Sequence, residues 1–373
     1  MIYDVLVIGA GPAGSMAAKT AAENDSNVLI IERNAEIGYP VRCAEGINKL
    51  LFKDTGIKKQ ESFIEKEIVG TRIYFYNEAY ELNSTQWKGY TIDRTKFDKY
   101  LAKLAEIAGT TIIKNTKAIG LNRSSNEWIV KTKTQEGYEK IKAKIIIGAD
   151  GFESNIGKWA GIKKKWNENE FYKCYELFLN CPNMVQDNVF HIAFGEEFSD
   201  GYGWIFPKNK KANIGVGVKK YVNAVKALDF FINKYPGIRD IINKNYSIIE
   251  KRGGGIPMNG PINVDEMIDN GILLAGDAAG IVDPITGEGI ESSILSGISA
   301  GETASKCIKE NNWKKSNLLN YHSELMKKSY INTTLGENMK NLLELKDKFH
   351  TIFSNKSTKK DREEFISFIS DLG

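Results

Sequence analysis

The chain has 373 residues, 42% apolar and 26% charged, the balance of a soluble globular protein of two or three domains, which excludes a disordered chain. Its 51 basic and 47 acidic residues nearly cancel, to a net charge of +4, so no electrostatic footprint for nucleic acid stands out. No apolar run reaches the roughly 18 residues that a membrane span needs, and the four cysteines (Cys43, Cys174, Cys181, Cys307) form no CxxC pair. The three histidines (His191, His322, His350) do not cluster, so a metal site, a disulfide framework and histidine-based metal catalysis are all disfavoured, and a reducing, cytoplasmic location is expected.

Residues 3–8, YDVLVI, predict a short strand that runs into Gly9-Ala-Gly11-Pro-Ala-Gly14 and then a small-residue helix over SMAAKTAAE. In this order Gly9 permits the tight turn, Gly11 lets a pyrophosphate approach the backbone, and Gly14 lets helix and strand pack closely, while the helix N-terminus faces the anion. A second β-rich run, 28–31, ends at Glu32, where a carboxylate can accept hydrogen bonds from a ribose 2′-OH. The same charge disfavours a 2′-phosphate. NAD or FAD is therefore expected at this site, and NADP is not.

Residues 71–76 alternate with a period of two, which predicts a strand with one buried face. DRTKFD follows at 93–98, and IIIGADG at 145–151 is a second strand ending in a glycine–acid turn. In GYGWIFP, 201–207, three rings sit at alternate positions, so Tyr202, Trp204 and Phe206 share one strand face. That face is either packed core or the wall of a cavity. Residues 212–218 alternate in the same way, completing the case for an antiparallel sheet.

At 271–289, GILLAGDAAGIVDPITGEG, a buried strand again meets a glycine turn, an acid (Asp277) and a small-residue helix start. A second set of backbone N–H groups and a carboxylate so far along the chain exceeds what a nicotinamide coenzyme needs and implies a longer ligand. Asp277 is placed to hold a ribityl hydroxyl, and Gly287 and Gly289 to let the backbone reach a flat ring at its polar edge. Residues 311–373 predict helices, for example at 341–345 and 364–369. Their charged face is either solvated or set against anionic lipid headgroups through Lys327, Lys328, Lys356, Lys359 and Lys360.

Together GAGPAG with Glu32, DRTKFD, IIIGADG and GILLAGDAAGIVDPITGEGI resemble the FAD-binding enzymes of the para-hydroxybenzoate hydroxylase fold. Two further stretches, Gly38-Tyr-Pro40-Val-Arg42-Cys43-Ala-Glu-Gly46 and Tyr202-Gly-Trp204-Ile-Phe206-Pro207, are similar to geranylgeranyl reductases, which saturate the isoprenoid chains of archaeal lipids and of chlorophyll. Ser199 stands where many archaeal members carry a proline. The resemblance implies an α/β protein, α+β overall, with a Rossmann-like FAD-binding domain of the glutathione reductase/para-hydroxybenzoate hydroxylase type over 1–65, 90–165 and 265–310. An antiparallel-sheet substrate domain is implied over 66–89 and 166–264, and a helical C-terminal region over 311–373.

The resemblance also implies FAD as cofactor. Gly9, Gly11, Ala13 and Gly14 would meet the pyrophosphate, Glu32 the adenosine ribose, and Asp277 the ribityl chain. Arg42, Cys43, Ala44 and Arg94 would line the flavin's phosphate and ribityl region, Gly287 and Gly289 the isoalloxazine edge, with Arg33 and Ile290 as further cofactor contacts. Tyr202, Trp204, Phe206 and Pro207 would line a substrate tunnel.

An isolated trisubstituted double bond has no carbonyl to take up charge from an incoming hydride. The expected reaction is proton addition to the less substituted carbon with hydride delivery from reduced FAD. Tyr202 and Trp204 would bear the cationic character on their ring faces, an interaction worth roughly 2 kcal/mol when desolvated. Cys43 is either a proton donor or gate at the flavin or a small buried apolar residue. The expected substrate is a prenylated lipid, most specifically an archaeal digeranylgeranylglycerophospholipid. No second GxGxxG is present, so the electron donor is external: a ferredoxin, a reduced deazaflavin or NADPH. Any membrane contact is peripheral. FAD-dependent aromatic monooxygenases and electron-transfer flavoprotein-type quinone oxidoreductases are the alternatives on the same scaffold.

Overall fold

In the computed structural model, residues 1–124, 126–162, 166–167, 170–219, 221–242, 245–258, 264–283, 286–328, 352 and 357–371 are described. The chain forms two compact units, Met1–Pro40, Thr95–Trp166 and Pro257–Met339 in the first, Val41–Arg94, Asn167–Ile256 and Lys340–Gly373 in the second.

The first unit is built on an eight-stranded sheet. Ile2–Ile8 lies parallel to Val28–Ile31 on one side and to Tyr138–Gly148 on the other. Thr111–Ile113 and Ile272–Leu274 extend the parallel set outward. Such strands are covered on both faces and need continuous apolar runs. Val5 to Val7 and Ile145 to Ile147 meet that need and are fully buried. Lys117–Ser124 and Glu127–Lys133 add an antiparallel meander. Helix Pro12–Glu23 packs along helix Ile290–Lys309 nearly backbone to backbone. A Cβ at Gly297 would lie 2.2 Å from Ala13 O, and one at Gly301 2.4 Å from Ala17 O, so only glycine permits the approach.

The second unit holds a seven-stranded sheet in the order Ser247–Pro257, Phe171–Asn180, Lys211–Lys219, Tyr202–Lys208, Val189–Phe194, Gly70–Phe75, Glu78–Leu82. It is not wholly antiparallel: Val189–Phe194 and Gly70–Phe75 run parallel. Those two strands come from distant segments of the chain, so no hairpin dictates their sense. One face carries Leu177, Ile205, Ile214 and Val216 against Leu228 and Phe231 of helix Ala224–Asn233. On the opposite face, Ile73 and Phe75 pack with Phe365 and Ile369 of helix Lys359–Asp371. Gly46–Asn48, Gly89–Ile92 and Ile64–Ile68 form a separate three-stranded sheet.

The division between the units falls at 40/41, where the sequence placed a change at 65/66. Residues 41–65 contribute strands to the three-stranded sheet, whose central strand is Gly89–Ile92. Residues from 311 onward form no unit of their own. Lys315–Leu318 and Asn320–Met326 belong with the first unit and Lys359–Asp371 with the second. The helix expected at 364–369 is present, whereas 341–345 and Lys356 lie outside the described residues. Among the described residues no helix is long and apolar enough to cross a membrane.

Candidate active site

In the first unit Gly9, Glu32, Asp150 and Gly276 each follow the carboxyl end of a parallel strand, the edge at which open α/β sheets hold ligands. Gly9 has φ +105°, and a Cβ at Gly14 would lie 1.9 Å from Gly9 O, so both glycines are fixed by geometry. At Gly11 an added Cβ would meet nothing within 4 Å. This open space fronts the N-terminus of Pro12–Glu23, which has no side-chain cap and no acidic residue in its first turn. The first N–H groups of that helix are thus left for an anion.

Glu32 is buried beside this loop. Ala10 N–H donates to its Oε2 (3.0 Å) and Asn34 N–H to its Oε1 (2.8 Å). The carboxylate therefore braces the glycine loop, and each oxygen keeps a lone pair for a hydroxyl donor. Ala13 is buried where the two glycine loops meet: a Cβ at Gly276 would lie 3.0 Å from Ala13 Cβ. A Cβ at Gly289 would lie 3.4 Å from Asp277 Oδ1, which places that carboxylate against the backbone of the second loop. Gly287 takes φ +70°. Ile290 is buried at the start of its helix, whose end is capped by Glu288 Oε1 accepting from Ile290 N–H (2.7 Å) and Glu291 N–H (2.9 Å). Arg33 is exposed. An uncapped helix end, open space at Gly11 and a carboxylate on each flank fit an adenine dinucleotide that extends to a second glycine loop.

In the second unit Tyr202, Trp204 and Phe206 do share a face, and it is the one opposite helix Ala224–Asn233. Strand register sets three rows across that face: Cys174, Gly217 and Tyr202, then Glu176, Gly215 and Trp204, then Phe178, Asn213 and Phe206. Gly215 makes room for the indole, since a Cβ there would lie 2.3 Å from Trp204 Cζ2 and 2.7 Å from Glu176 Cβ. Trp204 Nε1–H donates to Asn213 Oδ1 (2.8 Å), and Asn213 Nδ2–H donates to the Cys43 carbonyl (3.3 Å). Tyr202 is half-buried with its ring edge-on to Trp204 at 6.0 Å, and Phe206 lies 4.4 Å from Phe190. Pro207 alternates to the other face and its carbonyl accepts from Thr91 Oγ1 (2.8 Å).

A buried ion cluster holds segment 42–46 to this face. Glu45 Oε2 lies 2.8 Å from both Arg252 Nη1 and Lys208 Nζ, while Glu45 Oε1 accepts from Arg94 N–H (3.0 Å). Arg252 and Lys208 both stand over the Phe178 ring. Burial pushes the Cys43 thiol above its ordinary range against the nearby Arg94 charge. Burial likewise pushes the Glu176 carboxyl up to about 7, against Arg252, Asn213 and Lys208 and aided by Glu45. Ala44 is half-buried and Arg42 exposed. Glu45, Glu176, Asn213, Lys208 and Arg252 were not picked out in the sequence. Glu45 stands inside RCAEG and Asn213 inside the alternating run at 212–218, the only signals that could have drawn attention to them.

The FAD binding domain family matches residues 2–328, which makes the chain an FAD-binding flavoprotein. A crystal structure of a geranylgeranyl bacteriochlorophyll reductase-like protein from Thermoplasma acidophilum is similar over 100% of this chain and 99% of its own, with TM-score 0.82 and 31% identity. A flavin-dependent brominase, 14% identical with TM-score 0.73 over 99% of this chain and 94% of its own, shares the fold alone. Digeranylgeranylglycerophospholipid reductase of Methanocaldococcus jannaschii is 40% identical over 333 residues, 88% of this chain and 83% of that protein. That of Methanosarcina acetivorans is 40% identical over 321 residues, 82% of this chain and 76% of that protein. The chain belongs to the digeranylgeranylglycerophospholipid reductase family.

Proposed function

We propose that the protein saturates isolated double bonds in the geranylgeranyl chains of archaeal digeranylgeranylglycerophospholipids. The observation that carries this reading is the aromatic face: a family member whose first unit fits FAD sets a buried indole and a half-buried phenol on the sheet face opposite helix Ala224–Asn233, the face to which segment 42–46 is held. Reduced FAD supplies hydride in this chemistry. Gly9, Gly11, Ala13 and Gly14 hold the pyrophosphate, Glu32 the ribose, Asp277 the ribityl chain, and Gly287 and Gly289 the ring edge. Arg94 and segment 42–44 complete the cofactor contacts.

The remaining residues act on the lipid. Tyr202 and Trp204 present ring faces to the electron-poor carbon, and Phe206 extends the apolar wall that keeps water out. Cys43 holds a proton at Sγ, since its raised pKa keeps the thiol neutral. Electrons enter from an external donor, a ferredoxin, a reduced deazaflavin or NADPH, and the protein meets its substrate from the cytoplasm by peripheral contact with the membrane.

Mass spectrometry of geranylgeranyl ether phospholipid incubated with reduced, FAD-loaded protein tests the reading. Mass gains in steps of two hydrogens are expected. No gain with FAD bound and lipid present would overturn it in favour of the monooxygenase or quinone alternatives.

A further inference from the structure

One carboxyl beside Cys43 has no role in the scheme above. Glu176 sits in the middle of Phe171–Asn180, in the same row as Trp204, with 3% of its surface exposed. Its Oε1 is enclosed without a hydrogen-bond partner among the described residues. An ionised carboxylate is costly in such a place and a neutral acid is not.

The charged and titratable groups around it come from each neighbouring element: Arg252, Lys208, Glu45 and Cys43, with Cys174 on its own strand. Both cations are already engaged by Glu45 Oε2 at 2.8 Å, so their field is largely spent on that carboxylate. Burial therefore decides at Glu176, and the acid holds its proton up to about pH 7. The Cys43 thiol is raised above its own, higher, ordinary value, so a thiolate formed at Cys43 is the stronger base of the two. Asn213 ties the two sites together, donating to the Cys43 carbonyl and adjoining Glu176 on the same face.

We propose that Glu176 is a proton-storing positioning residue that recharges Cys43 during each double-bond reduction. This rests on the reductase reading. The S–H bond of Cys43 breaks as a C–H bond forms at the less substituted alkene carbon, and the second C–H bond takes its electron pair as hydride from the reduced flavin. The thiolate left at Cys43 takes the proton of Glu176, and the Glu176 carboxylate regains one from water. One proton and one hydride are consumed per double bond.

The test combines carboxyl-carbon NMR of holoprotein labelled at glutamate with pH–rate profiles of E176Q and E176D. In the wild type one glutamate carboxyl is expected to titrate near 7, and its signal to vanish in E176Q. Wild-type prenyl reduction is expected to fall as pH rises through that titration. E176Q is expected to lose this limb and about tenfold in rate, with KM for lipid unchanged, and E176D to retain the limb at a shifted pH. A wild type in which no glutamate titrates above the ordinary carboxylate range overturns the proposal, whether or not the variants fold. An E176Q enzyme with the wild-type rate and profile overturns the relay alone, whereas a wild type that reduces no prenyl lipid at any pH overturns the reductase reading and the relay with it.

Discussion

Two glutamates buried within one small region of the second unit are treated in opposite ways by their surroundings. Glu45 collects Arg252 and Lys208, and Glu176 is left to its burial. A carboxyl whose pKa rises on folding, here from 4.5 to about 7, stabilises the folded state fully below its unfolded value. That contribution is lost as pH rises to the folded value. E176Q cannot ionise, so between about pH 5 and about pH 8 its unfolding free energy should gain roughly 2 kcal/mol on the wild type. Denaturant titrations at the two pH values measure this; parallel pH dependence in the two proteins would show that Glu176 titrates normally.

Trp204→Leu is expected to lower prenyl turnover by about tenfold or more, because a desolvated ring face is lost, and Trp204→Phe to recover part of it. A leucine variant with wild-type turnover would reduce the ring to a wall. Gly9 and Gly14 were legible at this scale because the fold leaves no other residue possible there, as the 1.9 Å approach at Gly14 makes plain. Glu176, Lys208 and Arg252 were not, since a charge in an alternating strand reads as a solvated face, and nothing local reveals that segment 42–46 covers it.

At the level of elements, the aromatic strand and the strand beside it at 212–218 were both readable from their period of two, but the use of the second strand's glycines was not. Gly215 and Gly217 look like weak points in a strand, whereas Gly215 is the space that Trp204 and Glu176 share. Gly215→Ala should therefore displace both side chains and remove most prenyl reduction. Its flavin content, read from absorbance, should change little, because the residues proposed to hold the pyrophosphate and ribose belong to the first unit. Equal loss of flavin would mean that the strand supports the cofactor as well. The parallel pairing of Val189–Phe194 with Gly70–Phe75 was equally hidden: alternation gives the buried face of a strand but not the direction of its neighbour.

For the molecule as a whole, the order of motifs disclosed the interleaving of the two units, and only long-range pairing disclosed where they divide. The lysines that read as lipid-facing are engaged by acids: Lys327 with Glu324, Lys328 with Glu302, Lys359 with Glu363 and Lys360 with Glu364. Exposed pairs of this kind contribute little to stability, but they leave less net charge to attract anionic headgroups. Cosedimentation is therefore expected with vesicles that contain geranylgeranyl ether lipid, and little with anionic vesicles that lack it. Strong, salt-sensitive binding to the latter would return the lysines to a lipid-binding role.

The close seam between Pro12–Glu23 and Ile290–Lys309 has a consequence for how the protein is made. The alanine stripe of the first helix is synthesised before the glycines that cover it, Gly297 and Gly301, which emerge only after the whole second sheet. Until then the nascent first unit carries an exposed apolar helix face and a parallel sheet lacking Ile272–Leu274. Closure over such a sequence separation is slow, and the waiting surface invites aggregation or chaperone capture. The seam that brings the two glycine loops together thus keeps the first unit from completing its fold until Ile290–Lys309 has been synthesised.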